Sequence, residues 1–123
     1  MSWVYLAQKN TNIARKYALD SIQAYMEVGS MRGVGISMFG LASIEVVEGH
    51  PEKALEIAAA AEQFAQQAGI VVEYGLNDQG KAYLENAKKM LTDIEIENAR
   101  NEGKGLSLKE VLQMESLDAV MIE

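Results

Sequence analysis

The chain has 123 residues, of which 49% are apolar and 24% are charged, with no cysteine and a net charge of -7. This is the length of one domain, and the composition excludes a disordered tail, a disulfide-stabilised scaffold and, because it holds no run of about 18 apolar residues, a membrane-spanning protein. The basic residues are scattered, so the chain lacks the cationic surface that nucleic-acid binding requires. No secretory signal is evident at the N-terminus, and we expect a cytoplasmic protein.

Helix-forming segments separated by turn residues fill the first half of the chain. The predicted segments are residues 2–8, which look like the tail end of a helix, and residues 11–28, 31–48 and 51–68. Gly29 and Gly69 directly follow two of these segments, where a glycine commonly ends a helix. Pro51 stands in the first turn of the last one, where the missing N–H of proline is tolerated.

The chain also repeats itself after a shift of 40 residues. Residues 14–40 and 54–80 share six identities, against a chance expectation of roughly two. The identical pairs are Ala14 and Ala54, Ala18 and Ala58, Gln23 and Gln63, Gly29 and Gly69, Gly35 and Gly75, and Gly40 and Gly80. In the second unit, small residues form a stripe on one helix face, which predicts the close approach of a neighbouring helix. That stripe consists of Ala54, Ala58, Ala61, Ala65 and Ala68.

The last third of the chain predicts shorter helices. One helix covers residues 71–91 or starts later, near Asp78. Two capping boxes follow, each a Thr or Ser with a Glu three residues later, at Thr92-Asp93-Ile94-Glu95 and Ser107-Leu108-Lys109-Glu110. They predict a helix that ends before Gly103 and a last helix that runs to about Leu117. No alternating strand pattern is present in the sequence, so we predict an all-α protein.

We therefore predict one helical-repeat domain over residues 1–123, built as an array of antiparallel helix pairs. Its parts are a partial first unit, a second unit, a degenerate third unit and C-terminal capping helices, at residues 1–29, 30–69, 70–91 and 92–123.

The second unit resembles a tetratricopeptide repeat. When Gly35 is counted as the first position of the repeat, the sequence has the residue types that the family prefers at five positions. These are a large residue followed by a small one, a glycine in the turn, and two small residues in the second helix. These residues are Leu41, Ala42, Gly49, Ala54 and Ala61. The departures are Met38, Glu45, Ala58 and Gln66, where the family has tryptophan, tyrosine, an aromatic residue and proline. The 40-residue period resembles the longer variant of this repeat in large bacterial signal-transduction ATPases and LuxR-type transcriptional regulators.

The segment Glu102–Val111 resembles the EGR-x-LSLEEA segment that closes many of those regulators. The resemblance covers roughly residues 10–112 and implies a tetratricopeptide-like α-α superhelix, used in sensing or protein contact. The sequence contains neither a GxxxxGK[ST] phosphate-binding loop nor a basic recognition helix. The resemblance therefore implies a fragment or a stand-alone relative of a regulator.

The sequence predicts no catalytic, cofactor or metal site. His50 is the only histidine, has no cysteine to share a metal with, and is expected to be a turn residue. The carboxylate pairs Glu45 with Glu48 and Glu95 with Glu97 lack a nucleophile or an oxyanion donor, so we expect them on solvated helix faces. We predict that the protein is not an enzyme.

The helix at residues 31–48 carries the first candidate binding surface. In a tetratricopeptide superhelix the first helix of each pair lines a concave surface. The register places Ile36, Phe39, Ser43, Val46 and Val47 on that lining. Either later helices of the same chain cover this apolar lining, or it forms a groove for an apolar partner helix or a small apolar ligand.

The chain ends carry the second candidate surface. Trp3, Val4 and Leu6 are apolar and uncapped, and the stretch Ala119–Ile122 is apolar too. We expect self-association through one or both ends as a symmetric dimer. The predicted function is a non-catalytic protein–protein interaction or assembly module of a bacterial regulator. The alternative is a domain that senses a small apolar effector on the concave surface.

Overall fold

The structure is a computed structural model that describes residues 10–69 and 78–122, and the side chains of residues 10–69 and 81–116. Within these ranges the chain forms helices and no strand, which confirms the all-α class. The helices are α1 (Thr11–Glu27), α2 (Met31–Val47), α3 (Pro51–Gln67), α4 (Asp78–Lys89), α5 (Asp93–Lys104) and α6 (Leu108–Ile122). The helix expected at residues 2–8 lies outside the described ranges.

The first three helices share one length and one kind of ending. Each has 17 residues, and each is followed by a glycine with positive φ: Gly29 at 74°, Gly49 at 84° and Gly69 at 70°. Glycine adopts this backbone conformation without the clash that a Cβ would cause. After α2, the N–H of His50 donates to the carbonyl of Glu45 at 2.8 Å, which completes the C-terminal motif. Three residues thus suffice to reverse the chain between consecutive helices.

Helix α2 lies at the centre of the fold, packed against α1, α3 and α4. Thirteen of its 17 residues are buried, because nearly all of its side chains are small or apolar. Helix α3 contacts α2, α4, α5 and α6. Of its predicted alanine stripe, Ala54, Ala58, Ala61 and Ala65 are buried, whereas Ala68 just beyond its C-terminal end is exposed. These small side chains let several neighbouring helices approach α3 closely.

The capping boxes begin α5 and α6, as the sequence predicts. The hydroxyl of Thr92 accepts the N–H of Glu95 at 3.2 Å, and the carboxylate of Glu95 accepts the N–H of Thr92 at 2.9 Å. Ser107 and Glu110 make the same reciprocal pair, at 3.1 and 3.2 Å. Each pair satisfies N–H groups that the first turn of a helix leaves without a partner.

Two predicted helix ends were wrong. Helix α6 continues past Leu117 to Ile122, because the intervening residues contain neither glycine nor proline to stop it. Helix α5 does not end before Gly103 but continues to Lys104. Of the two starts considered for α4, the later one, at Asp78, is observed.

Gly103 marks the place where α5 crosses α3, rather than the end of α5. It is buried, and a Cβ built on it would collide with the carbonyl oxygen of Glu56 and lie 2.7 Å from the Cβ of Ala59. The backbones of the two helices therefore approach each other more closely than any side chain on residue 103 would allow. This contact anchors the C-terminal helices to the centre of the fold.

Gly103→Ala is expected to lower the free energy of unfolding by about 1–3 kcal/mol, the usual cost of overpacking, although alanine favours helix formation. Gly105→Ala is the matched control, because a Cβ there would lie 3.5 Å from the carbonyl oxygen of Glu102, an ordinary contact. Urea denaturation followed by circular dichroism measures both. Equal denaturation midpoints for the two variants would show that α5 and α3 do not depend on this approach.

Candidate functional site

A buried arginine joins α1 to the C-terminal end of α2. The side chain of Arg15 is fully buried, at 0% exposure. Its Nη1 donates to Glu48 Oε2 at 3.0 Å, and its Nη2 donates to Glu45 Oε1 at 2.9 Å and to Glu48 Oε1. Burial disfavours the charged guanidinium, but the hydrogen bond to Glu48 and the charges of Glu115, Glu48 and Glu45 outweigh it and raise the pKa of Arg15. Arg15 therefore stays a cation inside the fold.

The end of α2 supplies the two carboxylates. Glu45 lies in its last turn and is fully buried, and Glu48 caps it and is partly buried. The C-terminal end of a helix dipole is negative and therefore favours a cation nearby. Arg15 thus compensates both the charges of the carboxylates and the negative end of the helix dipole. Burial raises the pKa of Glu48, but hydrogen bonds from Arg15 and Thr11 and the charges of Arg15 and His50 lower it overall.

His50 and Lys53 approach Glu45 from its other side. Nδ1 of His50 lies 2.9 Å from Glu45 Oε2, while 56% of the histidine side chain remains exposed. Nζ of Lys53, on α3, lies 3.7 Å from Glu45 Oε1. Glu45 is thus surrounded by partners from α1, from the turn after α2 and from α3. We call Arg15, Glu45, Glu48, His50, Lys53 and Glu115 the ion-pair cluster.

Glu115 is the residue of α6 in the ion-pair cluster, and its carboxyl lies too far from the cations for hydrogen bonds. Its side chain is fully buried, and its Oε2 lies 3.7 Å from Arg15 Nε and 3.8 Å from Lys53 Nζ, beyond hydrogen-bond distance. Neither carboxyl oxygen receives a hydrogen bond from Arg15 or Lys53. Burial, the charge of Glu45 and a hydrogen bond with Glu45 raise the pKa of Glu115 to about 9, although Arg15 and Lys53 act in the opposite direction. At neutral pH the carboxyl of Glu115 therefore keeps its proton.

The ion-pair cluster includes one set of possible metal ligands. Oxygens of Glu45 and Glu48 and a nitrogen of His50 lie within 4.8 Å of one another. However, Arg15 already binds both carboxylates, and with Glu115 protonated the two carboxylates balance Arg15 and Lys53. A divalent cation would add charge to this balanced, largely buried group, which is unfavourable. We therefore interpret these groups as a structural ion-pair cluster.

The expectation that Glu45 and Glu48 lie on a solvated face was wrong. Glu45 is fully buried and Glu48 partly buried, because Arg15 compensates both. Glu97 is exposed as expected, and Glu95 serves the capping box of α5. His50 does occupy the turn before α3, where it also contacts Glu45.

Sequence reasoning missed Arg15, Lys53 and Glu115 as partners of Glu45. One signal was available: Glu45 is the only charged residue among residues 33–47, and a helix that is apolar all round must bury it and supply a cation. A second signal is the spacing of Glu115, three residues beyond Leu112 on the apolar stripe of α6.

The predicted concave lining is mostly inside the protein. Phe39, Ser43 and Val46 are buried, whereas Ile36 and Val47 are half-buried. Other helices of the same chain thus cover much of this face, which was one of the two alternatives. Binding of a partner there stays a prediction, and it would require those helices to move. Trp3 and Leu6 lie outside the described residues.

Two further accessible apolar surfaces involve α1. On the outer side of α1, Ile13 is 37% exposed, Tyr17 is 47% exposed and Val28, which caps the helix, is 78% exposed. An open groove of about 670 Å³ lies between α1 and α6. It is lined by Met26, Ser107, Leu108, Lys109, Leu112, Gln113 and Ser116.

Comparisons of the chain with protein-family models, with curated proteins and with solved structures found no match. Within the described ranges, no helix has both the length and the apolar character that crossing a membrane requires.

Arg15→Met is expected to lower the free energy of unfolding by about 3–5 kcal/mol, because it leaves the charge of Glu45 buried without its main partner. Methionine keeps a long side chain, so little packing is lost. Lys16→Met changes the exposed neighbouring residue and is expected to shift stability by no more than about 0.5 kcal/mol. Urea denaturation of both variants measures the difference. Similar effects of the two substitutions would mean that Arg15 does not compensate Glu45.

Glu115→Gln tests whether the buried carboxyl of Glu115 is protonated. Because the pKa of Glu115 is raised from 4.5 to about 9 by folding, its contribution to stability is fully present below pH 4.5 and is lost as the pH rises towards 9. The stability of the unmodified protein relative to Glu115→Gln should therefore fall between about pH 5 and 8, by at most about 1.4 kcal/mol per pH unit.

Urea denaturation at a series of pH values measures this difference. Glu97→Gln removes the same charge from an exposed position on α5, and its stability difference is expected to stay constant over that range. A difference for Glu115→Gln that does not change with pH would contradict a proton held at Glu115.

Proposed function

We propose that this chain is a non-catalytic protein–protein interaction module that binds a second copy of itself through the outer side of α1. The observation that carries the proposal is the exposure there of Ile13, Tyr17 and Val28. At about 100° per residue, these positions lie within about 60° of one another around the helix, so they form one stripe. Removing such apolar surface from water is the main driving force of protein association.

The proposal treats the protein as a tetratricopeptide-like array and as the assembly module of a bacterial regulator. The resemblance of residues 30–69 to this repeat supports the first part, since α2 and α3 correspond to one helix pair. The equal lengths of α1, α2 and α3 and their glycine turns also support it. Stacked repeats bury their apolar faces against neighbours, and the exposure of Ile13, Tyr17 and Val28 shows an apolar side of α1 that could be buried in this way.

The proposed mechanism is passive. Arg15 ties α1 to the end of α2 by direct hydrogen bonds, and α2 in turn packs against α3. The stripe on α1 therefore belongs to a scaffold whose shape is set before the partner arrives. Binding to a preorganised surface avoids the entropy loss of ordering it.

The groove between α1 and α6 favours a second candidate function, the sensing of a small apolar molecule. Its volume of about 670 Å³ lies in the range of ligand sites, and Met26, Leu108 and Leu112 give it an apolar lining. This is a different place from the lining expected on α2, most of which is buried. Binding would be detected as a rise in melting temperature with an apolar probe ligand, and Leu108→Lys would abolish it.

Light scattering after gel filtration over a concentration series tests self-association through α1. The unmodified chain is expected to approach twice its mass of 13.5 kDa at high concentration, whereas Ile13→Lys with Val28→Lys stays at the monomer mass. Met90→Lys with Ile94→Lys is the matched control, since these residues are 60% and 72% exposed on another part of the surface. An unmodified chain that remains monomeric, or a dimer that survives the α1 substitutions, would overturn the proposal.

A further inference from the structure

We propose that α6 is a releasable occupant of a helix-binding groove on α1 and α3, and that the α6 helix of a second copy can take its place. This goes beyond the proposed function, because it concerns another surface and names the segment that the partner contributes. The two proposals can also fail separately, since the stripe of Ile13, Tyr17 and Val28 is not part of this groove.

Helix α6 packs through one apolar face. Leu108, Val111, Leu112 and Glu115 follow the spacing i, i+3, i+4 and i+7 of one helix face, which packs against α1 and α3. Val111 is buried in the core cluster, but Leu108 and Leu112 are only half-buried. Both line the open groove beside Met26. The apolar face of α6 is therefore incompletely covered along its contact with α1.

Glu115 lies on the same face of α6, in an unfavourable position. Its carboxyl is fully buried, yet its distances to Arg15 and Lys53 are too long for hydrogen bonds. A buried carboxyl that faces another carboxyl and receives no hydrogen bond from a cation favours the state in which water can reach it. The apolar residues of α6 favour its docking, whereas the burial of Glu115 opposes it. Helix α6 is therefore easier to detach than a helix whose buried polar groups all have hydrogen-bond partners.

The seat of the chain's own α6 selects the occupant. Glu115 lies beside Arg15 of α1 and Lys53 of α3, so a helix with the same apolar spacing and a carboxyl seven positions after its first apolar residue fits there. The α6 helix of a second copy has this pattern and would make the same contacts as the chain's own α6. Gly105, Leu106 and Ser107 connect α6 to α5 and supply the linker along which the chain would open. Exchange of an identical element between copies is a low-cost route to a dimer.

A fluorescent peptide with the sequence of residues 106–122 probes the groove on the full-length chain by anisotropy. Val111→Asp in the chain should release its own α6, so that this variant binds the peptide at least tenfold more tightly than the unmodified chain does. A peptide carrying Val111→Asp is the control for apolar docking, and one carrying Glu115→Lys tests the contribution of Arg15 and Lys53. Each is expected to bind at least tenfold more weakly than the unmodified peptide.

The proposal is overturned if the Val111→Asp chain keeps its helical circular dichroism but does not bind the peptide, or if it binds the control peptides equally well. If that variant does not fold, hydrogen exchange of the unmodified chain decides. The amides of α6 should then exchange at least tenfold faster than those of α3, and equal rates would show that α6 does not open separately.

The variant Ile13→Lys with Val28→Lys distinguishes this proposal from the proposed function. Peptide binding that persists in this variant supports the groove. If the dimer is lost as well, the α1 surface holds the dimer and exchange of α6 alone is too weak to do so; if the dimer survives, exchange of α6 accounts for it and the proposed α1 surface is overturned. A dimer that is lost in this variant while no chain binds the peptide supports the α1 surface alone and overturns helix exchange.

Discussion

The hydrogen bonds between Arg15 and Glu45 are the interaction on which the arrangement of the first helices depends. Glu45 lies in the most apolar helix of the fold, where an unpaired carboxylate would be very unfavourable. Arg15 meets it from α1 and also binds Glu48, so one guanidinium satisfies two carboxylates at the end of α2. A buried pair of this kind contributes little net stability compared with apolar residues of the same size, but separating its partners would leave charges buried without compensation. It therefore fixes how α1 lies on α2.

Close backbone contact has the corresponding role on the other side of the fold. Where α5 crosses α3, Gly103 allows its helix to lie against the carbonyl of Glu56. Apolar contacts hold α6 between these two well-fixed regions, against the cost of burying the imperfectly paired Glu115. The fold thus combines a rigid centre, formed by α2 and α3, with a C-terminal helix whose buried carboxyl, on Glu115, is poorly paired. Neither proposed interaction requires the packing of α2 against α3 to change.

The sequence predicted the helices well, because their signals are local. Gly29, Gly49 and the capping box at Thr92 act on residues only a few positions away. The ion-pair cluster could be predicted only in part. The apolar surroundings of Glu45 in the sequence already require a buried cation, but nothing local identifies Arg15, which is 30 residues away. Gly103 was misinterpreted for the same reason, since its role depends on the distant backbone of Glu56.

The ion-pair cluster also sets an order for folding during synthesis. Arg15 and Glu45 are 30 residues apart, whereas Glu115 follows Arg15 by 100 residues. Contacts between nearby residues lose less chain entropy when they form, and the N-terminal part of a chain leaves the ribosome first. Arg15 and Glu45 can therefore pair while α6 is still being translated. On a polysome, where several copies are made side by side, the proposed exchange of α6 would then compete with the docking of the chain's own α6.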